Sequence, residues 1–455
     1  MIARAALFVA VALALAVPAA QAFPVIGNHA VLPAGTELGE DALQLPRELF
    51  KTDAAGGSRS YLVNLGDLAF SSPSLLGGAA AQAGISCDTC HVNGTTNPRL
   101  FIPGLSTHPG NFDTTGALFN PKADDAVLDP FTTPSLRGAR YLAPYGHDGR
   151  STSLRDFVRN VIVNEFAGPE PSPAILDAMV VYIDDIDFLP NPGLAAGGRL
   201  AAGASEAERR GEALFAKPFP RDPQLSCAGC HNPTAAFVDH RQHDVGSGGL
   251  FKTPTLLDAN FNAPYFHDGR YDSYEKVVAH FDRVFDLALS PTDRQDLVAY
   301  LTAVGDGEKP YVSDGVAPRL DEIAHFSSVL DTAIPAHDRA VIALAVDTVG
   351  GDLREFTEMF PDRKDGTVSG GKAERARARA ALEELVLTLR AIDNAATAGQ
   401  FDEAGAQYDA YRRQTAVLAP VLTAAVPWSL FDPAVHDAHY GALRQMKQAA
   451  TKPTP

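Results

Sequence analysis

Four cysteines, all that the chain contains, form two copies of a C-x-x-C-H motif. The first copy spans residues 87–91 and the second spans residues 227–231. Two thiols three positions apart at the start of a helix can each form a thioether with a haem vinyl group, and the next histidine can bind the iron. The sequence therefore predicts two covalently attached haems c. The residues that would hold them are Cys87, Cys90, His91, Cys227, Cys230 and His231.

Other uses of cysteine pairs fit these motifs less well. A zinc site would normally place its second pair about 15–20 residues after the first, whereas Cys90 and Cys227 are far apart in the chain. A redox C-x-x-C motif does not require a following histidine, and structural disulfides between such close cysteines are uncommon. We therefore expect thioether attachment at both motifs.

The two motifs belong to a duplicated unit. A T-P-[ST]-L segment follows each motif, at 133–136 and at 253–256, and an A-P-Y-x-H-D-G-R segment comes next, at 143–150 and at 263–270. These segments are offset by 120 residues, whereas the haem motifs are offset by 140. The first unit therefore has 20 additional residues between its haem motif and its T-P-S-L. Such a duplication predicts two similar domains.

Helix signals flank both motifs and would position them. Residues 65–70 precede the first motif, and Ser205 with Glu208 forms a capping-box pattern before the second. Downstream, residues 175–186 and 294–304 have apolar side chains at helical spacing. Helix, haem motif, loop and closing helix is the order of a small cytochrome c domain.

The chain after about residue 312 has a different pattern. Apolar residues recur at three- and four-residue spacing over 382–392, which predicts an amphipathic helix, and residues 320–330 suggest another. The predicted fold is mainly α, with two tandem cytochrome c-type haem domains followed by a C-terminal helical bundle. The predicted limits are a signal peptide at 1–22, haem domains at 23–190 and 191–311, and the helical extension at 312–455.

The first 22 residues have the pattern of a secretory signal peptide. Arg4 supplies the positive charge, residues 5–17 are apolar, and Ala20 and Ala22 form a small-residue cleavage site. The apolar run is short for a membrane span, and no later stretch is long and apolar enough. We therefore expect a periplasmic protein without a membrane span. A net charge of −17 disfavours a nucleic-acid partner.

The two C-x-x-C-H motifs, each followed by T-P-[ST]-L and A-P-Y-x-H-D-G-R, resemble the bacterial di-haem cytochrome c peroxidase family. That family includes MauG-like enzymes, which oxidise tryptophan side chains of a partner protein. The resemblance covers about residues 60–305. It implies that the haem at His91 reacts with hydrogen peroxide and that the haem at His231 relays electrons to it. The implied electron donor is a small periplasmic cytochrome c or cupredoxin.

The resemblance also implies residues on the distal side of the first haem. His108, 17 residues after His91, corresponds to a histidine that can occupy the distal face and leave on activation. Glu165 is the best match to the distal glutamate of the family. Cleavage of the peroxide O–O bond needs a group that takes a proton and returns it to the leaving oxygen. The apolar residues around Glu165 suit that role, and the alternative is a surface carboxylate at a helix end.

The two H-D-G-R segments supply four further candidates. The resemblance places His147 and His267 near the haem edges without binding iron. Arg150 and Arg270 fit as partners for haem propionates, which a guanidinium can bind bidentately. The alternative for each arginine is an ion pair with the preceding aspartate.

Three positions depart from the family pattern. His147 stands where the peroxidases usually have a tryptophan between the haems, and Phe157 stands at the position of a distal glutamine. Phe281 occupies the place of the methionine or tyrosine that binds the relay haem, and it cannot bind iron. His280 is the neighbouring alternative ligand, and His240 and His243 are others.

Three functions remain open at this point: a peroxidase, a MauG-like oxidase of a partner protein, and a di-haem electron carrier without catalysis. Glu165 favours an enzyme, whereas Phe157 favours a carrier. Some family members also bind Ca²⁺ through backbone carbonyls near the second A-P-Y, where Asn262 and Pro264 lie. Calcium is therefore an additional expected cofactor, although the side-chain ligand from the first domain is not evident.

Overall fold

The computed structural model describes residues 29–39, 45–54, 56–57, 59–308, 315–362 and 370–438. The predicted signal peptide at 1–22 lies outside these residues, so its cleavage stays a prediction. Helices predominate in the described part and each strand has two residues, which confirms the prediction of a mainly α fold. None of the helices in these ranges combines the length and the apolar character that a membrane span requires.

The first unit, taken here as the described residues up to 190, contains short helices joined by long loops. Its helices are α1 (Lys51–Ala54), α2 (Tyr61–Phe70), α3 (Gly78–Ala83), α4 (Cys87–Cys90), α5 (Leu154–Asn160) and α6 (Pro173–Asp185). A π-helical turn, Val161–Glu165, continues α5. Its strands are β1 (Leu49–Phe50), β2 (Asn111–Phe112), β3 (Phe131–Thr132) and β4 (Ile186–Asp187). Strand β1 pairs with β4, and β2 pairs with β3, both antiparallel.

The second unit, residues 191–308, repeats this order after an irregular segment. Its helices are α7 (Glu206–Ala216), α8 (Cys227–Cys230), α9 (Tyr274–Phe285) and α10 (Pro291–Val304). Strand β5 (Gln242–His243) pairs with β6 (Phe251–Lys252), antiparallel. The predicted capping box starts α7, because the Ser205 side chain accepts from the Glu208 N–H at 3.3 Å and the Glu208 carboxylate accepts from the Ser205 N–H at 2.6 Å.

Each unit is closed by two helices that cross at a glycine. Gly66 on α2 lies against the backbone of Ala178 on α6, where an added Cβ would be 2.1 Å from the Ala178 carbonyl oxygen. Gly211 on α7 meets Asp296 on α10 in the same way, at 2.0 Å. A residue without Cβ allows this approach, so the equivalent glycines fix the same helix pair in both units.

The C-terminal part adds a set of longer helices. These are α11 (Val316–Ser327), α12 (Leu330–Ala333), α13 (Arg339–Glu358), α14 (Lys372–Thr397), α15 (Phe401–Ala416) and α16 (Leu418–Thr423). The predicted amphipathic helix at 382–392 lies inside α14, and its apolar face is buried, which confirms that prediction. The helix suggested at 320–330 is two helices, α11 and α12, with a break between them.

The C-terminal helices and the first unit share one hydrophobic core, which runs from α2 and α6 into α11 and α13. At this contact Asn64 donates to the Ser328 hydroxyl at 3.5 Å, and His325 lies 3.3 Å from the Asp67 carboxylate. The second unit has a core of its own. The C-terminal helices therefore pack on the first unit, and the predicted domain limits stay predictions.

Candidate functional site

Each C-x-x-C segment forms one helical turn that begins after a serine, α4 after Ser86 and α8 after Ser226. The thiols are not in disulfides. Burial raises the pKa of Cys87 and of Cys227 to about 12, so both thiols are protonated at neutral pH. The two cysteines, three residues apart, thus lie next to each other on one helical turn, as double thioether attachment requires.

The histidine of the first motif lies against an aromatic pair from the crossing helices. The ring of Phe70, at the end of α2, is 5.9 Å from the His91 ring and 5.2 Å from the Tyr182 ring on α6. Phe70 and Tyr182 are both buried. The crossing of α2 and α6 therefore sets the position of His91.

The second unit repeats this arrangement with its own residues. The Phe215 ring on α7 lies 6.2 Å from His231 and 5.0 Å from Tyr300 on α10. Phe215 and Tyr300 are also buried. The two motif histidines thus have the same surroundings, as expected if both serve one kind of cofactor.

Both motif histidines are held neutral. Burial lowers the pKa of His91 to about 4 and also lowers the pKa of His231, against the opposing effect of the Pro134 and Pro254 backbones in the two T-P-[ST]-L segments. The Nδ1 atom of His231 lies 3.2 Å from the Phe237 carbonyl oxygen. A ring that donates from Nδ1 leaves Nε2 free to bind iron. Two thiols and a neutral imidazole in each unit fit a haem c.

The two units contact each other through their H-D-G-R loops in a nearly symmetric way. The Thr132 N–H donates to the His267 carbonyl at 2.7 Å, and the equivalent Lys252 N–H donates to the His147 carbonyl at 2.9 Å. Both residues of each pair are offset by 120 positions from their counterparts. The repeat found in the sequence is therefore also a structural repeat about this interface.

Aromatic rings fill the interface between the units. Phe251 stacks on His267 with 3.6 Å between ring centroids, and Phe131 stacks on His147 at 5.7 Å. Phe131 also lies 5.7 Å from His267, so the rings form one cluster. Burial lowers the pKa of His147 to about 4, and its Nε2 lies 2.7 Å from the Thr132 carbonyl oxygen. His147 and His267 are thus interface residues, and their place beside the haem edges stays a prediction.

Glu165 lies at the end of the π turn and is held by polar partners. Arg150 donates to its Oε1 at 2.9 Å, and Asn160 donates to the same oxygen at 3.2 Å. The apolar residues that flank Glu165 in the sequence do not surround its carboxylate, since Ile162 and Phe166 are buried in the core. The expectation of an apolar setting for the Glu165 carboxylate is therefore wrong, because a guanidinium reaches it from a loop fifteen residues earlier.

The two H-D-G-R arginines bind protein carboxylates. Arg150 lies 3.1 Å from Asp148 in addition to Glu165, whereas Arg270 lies 2.6 Å from Asp268 and donates to the Ser247 carbonyl at 2.7 Å. The ion pair with the preceding aspartate, one of the two alternatives, is thus present at both arginines. A role with haem propionates stays a prediction.

His108 lies at the interface between the units. Its ring is so close to the second H-D-G loop that a Cβ on Gly269 would be 2.8 Å from it. Its Nδ1 lies 3.0 Å from the Pro109 carbonyl oxygen, and its Nε2 lies 3.2 Å from the Asn111 amide. Its predicted role on the distal face of the first haem stays a prediction.

The ring nitrogens of His280 are both engaged. Its Nε2 lies 2.7 Å from the Val245 carbonyl oxygen and its Nδ1 lies 3.0 Å from the Tyr271 hydroxyl, in a residue that is 2% exposed. This arrangement does not favour His280 as an iron ligand. Of the other candidates, His240 binds the Ala143 carbonyl and His243 binds the Asp239 carboxylate, both at 2.7 Å.

The expected calcium site receives no support. The side-chain oxygen of Asn262 accepts from the Thr95 hydroxyl at 2.7 Å. This is an ordinary hydrogen bond between neutral groups from the two units.

Sequence reasoning missed Phe131 and Phe251, which line the interface between the units. A signal was present, because both stand two residues before the T-P-[ST]-L segments and are offset by the same 120 residues. Asn160 was also missed. It stands at the position equivalent to His280, and it becomes visible only when the repeat is aligned through the helix that follows each H-D-G-R.

Comparisons with known proteins agree with this geometry. The family model described as di-haem cytochrome c peroxidase matches residues 205–414. The methylamine utilization protein MauG of Methylorubrum extorquens is 32% identical over an alignment of 301 residues, which covers 52% of this chain and 76% of that protein. The hydrazine synthase subunit gamma of Kuenenia stuttgartiensis is 25% identical over 326 residues, 58% of this chain and 83% of that protein.

A solved structure of Kuenenia stuttgartiensis hydrazine synthase is also similar. It is 24% identical, with 59% of this chain and 92% of that chain covered, and its TM-score is 0.40. The match to the family model continues past residue 305 into the C-terminal helices, farther than the sequence motifs reach. With the MauG relative aligned over three quarters of its length, the chain belongs to the di-haem cytochrome c peroxidase family, which includes the MauG-like proteins.

Proposed function

We propose that this protein is a periplasmic peroxidase that reduces hydrogen peroxide at its first haem with electrons relayed through its second haem. Family membership implies an oxidoreductase with haem c cofactors. The substrate, the division of labour between the units and the periplasmic location are parts of the proposal. In it, Cys87, Cys90 and His91 hold the reactive haem, and the second motif holds the relay haem.

The observation that carries the proposal is an asymmetry between the two units. Glu165 ends the π turn of the first unit, whereas Phe285 stands at the equivalent position of the second. Proton transfer to and from peroxide requires an acid–base group, and a phenyl ring cannot supply one. Because π-helical turns occur frequently at functional sites, the geometry supports the first unit as the reactive one.

The haem iron, when bound, supplies the electrons for the reduction, which consumes two electrons and two protons and gives two waters from one hydrogen peroxide. Glu165 takes a proton from one peroxide oxygen and returns it to the other, which leaves as water. This transfer avoids the release of a hydroxide ion. Both protons that the reduction consumes come from solvent, because the proton that Glu165 moves already belongs to the peroxide.

Electrons reach the first unit through the second in this proposal. Two kinds of contact between the units support it, because they hold the units in one fixed arrangement. They are the hydrogen bonds to the H-D-G-R loops and the contact of the Phe131 ring with the His267 ring at 5.7 Å. The donor would be a small periplasmic cytochrome c or cupredoxin. A net charge of −17 favours a donor with a basic surface.

A MauG-like oxidase that modifies a partner protein is the second candidate. The 32% identity to the methylamine utilization protein MauG favours it. The proton transfers at Glu165 would be the same, but the electrons would come from side chains of the partner. The two candidates therefore differ in the reductant that is consumed.

The test is to mix the holoprotein with stoichiometric peroxide and record absorbance and low-temperature EPR spectra before and after. We expect a high-spin ferric haem that reacts, and a reaction at least about 100-fold slower in Glu165→Gln. Glu170→Gln is the matched control, because Glu170 is an exposed carboxylate that is also paired with an arginine, Arg159 of α5. Its rate should equal that of the wild type.

Turnover separates the candidates. A peroxidase oxidises a reduced small cytochrome c continuously in the presence of peroxide, whereas an oxidase of the MauG kind modifies a protein and leaves the cytochrome reduced. Two low-spin haems that stay inert to peroxide, both as isolated and after one-electron reduction, would reject both and leave an electron carrier.

A further inference from the structure

We propose that Arg150 is a positioning residue that fixes the Glu165 carboxylate for proton transfer, with Oε1 bound by the arginine and Oε2 left to meet the substrate. This inference rests on the proposed function, because it concerns how the first unit handles the protons of peroxide. It assigns to Arg150 a role that differs from binding a haem propionate.

The contact has the geometry of a fixed pair. The Arg150 guanidinium donates to Oε1 of Glu165 at 2.9 Å, and Asn160 adds a second donor to the same atom at 3.2 Å. Within the described residues no hydrogen bond falls on Oε2 of Glu165. Two donors on one oxygen hold the carboxylate plane, and the other oxygen keeps its lone pairs for a proton.

Of the two side chains in the Arg150–Glu165 ion pair, the arginine is the more exposed to solvent. The Glu165 side chain is 12% exposed, whereas the Arg150 side chain is 45% exposed. The guanidinium thus lies between the carboxylate and bulk solvent. A charge-assisted hydrogen bond in this position is stronger than a neutral one, and it limits the number of orientations that the carboxylate can adopt.

The arginine is itself held from two sides. Its NH1 lies 3.1 Å from the Asp148 carboxylate, and its guanidinium carbon lies 5.0 Å from the centroid of the Phe157 ring. A Cβ at Gly146 would be 2.8 Å from both Arg150 NH1 and the Asp148 carboxylate, so a side chain at that position would disturb the pair. Phe157 therefore serves as an apolar support for Arg150.

The second unit lacks this arrangement at the equivalent position. Arg270 binds Asp268 and the Ser247 carbonyl, and Phe285 stands where Glu165 would be. The same H-D-G-R segment thus reaches a carboxylate on the following helix in the first unit alone. This difference between the units coincides with the proposed division of labour.

A guanidinium and an ammonium differ in what they can do here. Lysine would keep the positive charge near Glu165, but it is a flexible point donor without the planar fork of arginine. A misplaced catalytic group can lose about 100-fold in rate. Charge alone should therefore recover part of the effect, and full activity should require the guanidinium.

The experiment uses the holoprotein with Arg150→Gln, Arg150→Lys, Glu165→Gln and the control Arg159→Gln. Arg159 lies on α5 and donates to Glu170 at 2.6 Å in an exposed pair, so its removal makes the same charge change without breaking a hydrogen bond to Glu165. The first readout is the infrared carboxylate band that disappears in Glu165→Gln. The second is the second-order rate constant with peroxide.

We expect Arg150→Gln to shift the Glu165 band and to slow the peroxide reaction by about 10- to 100-fold. Arg150→Lys should recover part of the rate, and Arg159→Gln should change neither readout. An unshifted band in Arg150→Gln would overturn the inference, as would a wild-type rate in that variant while Glu165→Gln is slow. A wild-type rate in Glu165→Gln itself would overturn the proposed function and this inference with it. If Arg150→Gln does not fold, Arg150→Lys takes its place. An unshifted Glu165 band in that variant, or a wild-type rate while Glu165→Gln is slow, would then overturn the inference.

Discussion

Gly66 and Ala178 bring the backbones of α2 and α6 into direct contact, with space for no atom at the Gly66 Cβ position. Replacing Gly66 by alanine should therefore force the helices apart. Overpacking of this kind costs about 1–3 kcal/mol, more than the roughly 1 kcal/mol by which alanine favours a helix over glycine. Urea unfolding followed by far-UV circular dichroism measures the loss of stability.

Gly351 in α13 provides the control for that substitution. It is also a helical glycine, but a Cβ there would meet no atom within 4 Å. Gly351→Ala should raise the free energy of unfolding slightly. Equal stability of the two alanine variants would show that the crossing of α2 and α6 tolerates a methyl group and that the glycine is not required there.

The two motifs should each attach one haem independently. Replacing Cys87 and Cys90 together by alanine is expected to leave one covalent haem, and the same change at Cys227 and Cys230 is expected to leave the other, because each turn carries its own thiols and histidine. The mass of the intact, denatured protein counts the covalent haems. A wild-type mass with one haem, or a variant that loses both, would contradict the prediction.

Asn111 joins the two units from a fully buried position. Its side chain donates to the Asp268 carbonyl at 2.8 Å and accepts from the Thr107 N–H at 3.1 Å. Asn111→Ala removes both hydrogen bonds and leaves the half-buried Asp268 carbonyl without this partner, at about 1–3 kcal/mol. We expect a clear loss of stability in urea unfolding, together with faster amide hydrogen exchange in the second H-D-G loop.

Gln242 makes the reciprocal contact from an exposed position, with its side chain donating to the Asp148 carbonyl. Gln242→Ala should cost less than about 0.5 kcal/mol, since water can replace the lost partner at an exposed site. An equal loss in both alanine variants would show that burial does not determine the strength of this interface.

Much of the fold follows from local sequence pattern. The capping box at Ser205 and the apolar spacing over 382–392 act within a few residues, and both predicted helices are present. The duplication also has a direct physical consequence, since residues such as Phe70 and Phe215 reach the same environment in both units. Local pattern did not reveal that the C-terminal helices share a core with the first unit. Their apolar faces would be buried equally well in a separate bundle or against another domain, so the pattern is the same in both cases.

The candidate site divides in the same way. The C-x-x-C-H motifs are contiguous, so residue types and spacing are sufficient to identify them. The polar environment of the Glu165 carboxylate depends on Arg150. Arg150 lies in the loop before α5, and the conformation of that loop directs its side chain toward Glu165. The engagement of His280 depends on Val245, 35 positions away. Such contacts arise from tertiary packing, and one sequence alone does not contain a pattern that predicts them.

A buried carboxyl in the second unit should make stability depend on pH. Asp258 is 1% exposed, and burial raises its pKa from 3.8 to about 6, with the positive charge of Arg137 acting in the opposite direction. Between pH 4 and pH 6 the folded protein therefore keeps a proton that the unfolded chain releases. The stability that this proton contributes is lost as pH rises through that window.

Asp258→Asn removes the titration with little change in shape. Asparagine tolerates the positive φ of 58° at this position, and its side-chain oxygen can still accept from the Leu189 N–H, which now lies 3.1 Å from Asp258. Relative to the wild type, the variant should gain about 2–3 kcal/mol in free energy of unfolding between pH 4 and pH 6.5. Urea unfolding at several pH values, with the exposed Asp306→Asn as control, measures this difference. A difference that does not change with pH, or that changes equally in the control, would mean that Asp258 is ionised in the folded protein throughout this range, and that Arg137 compensates its burial.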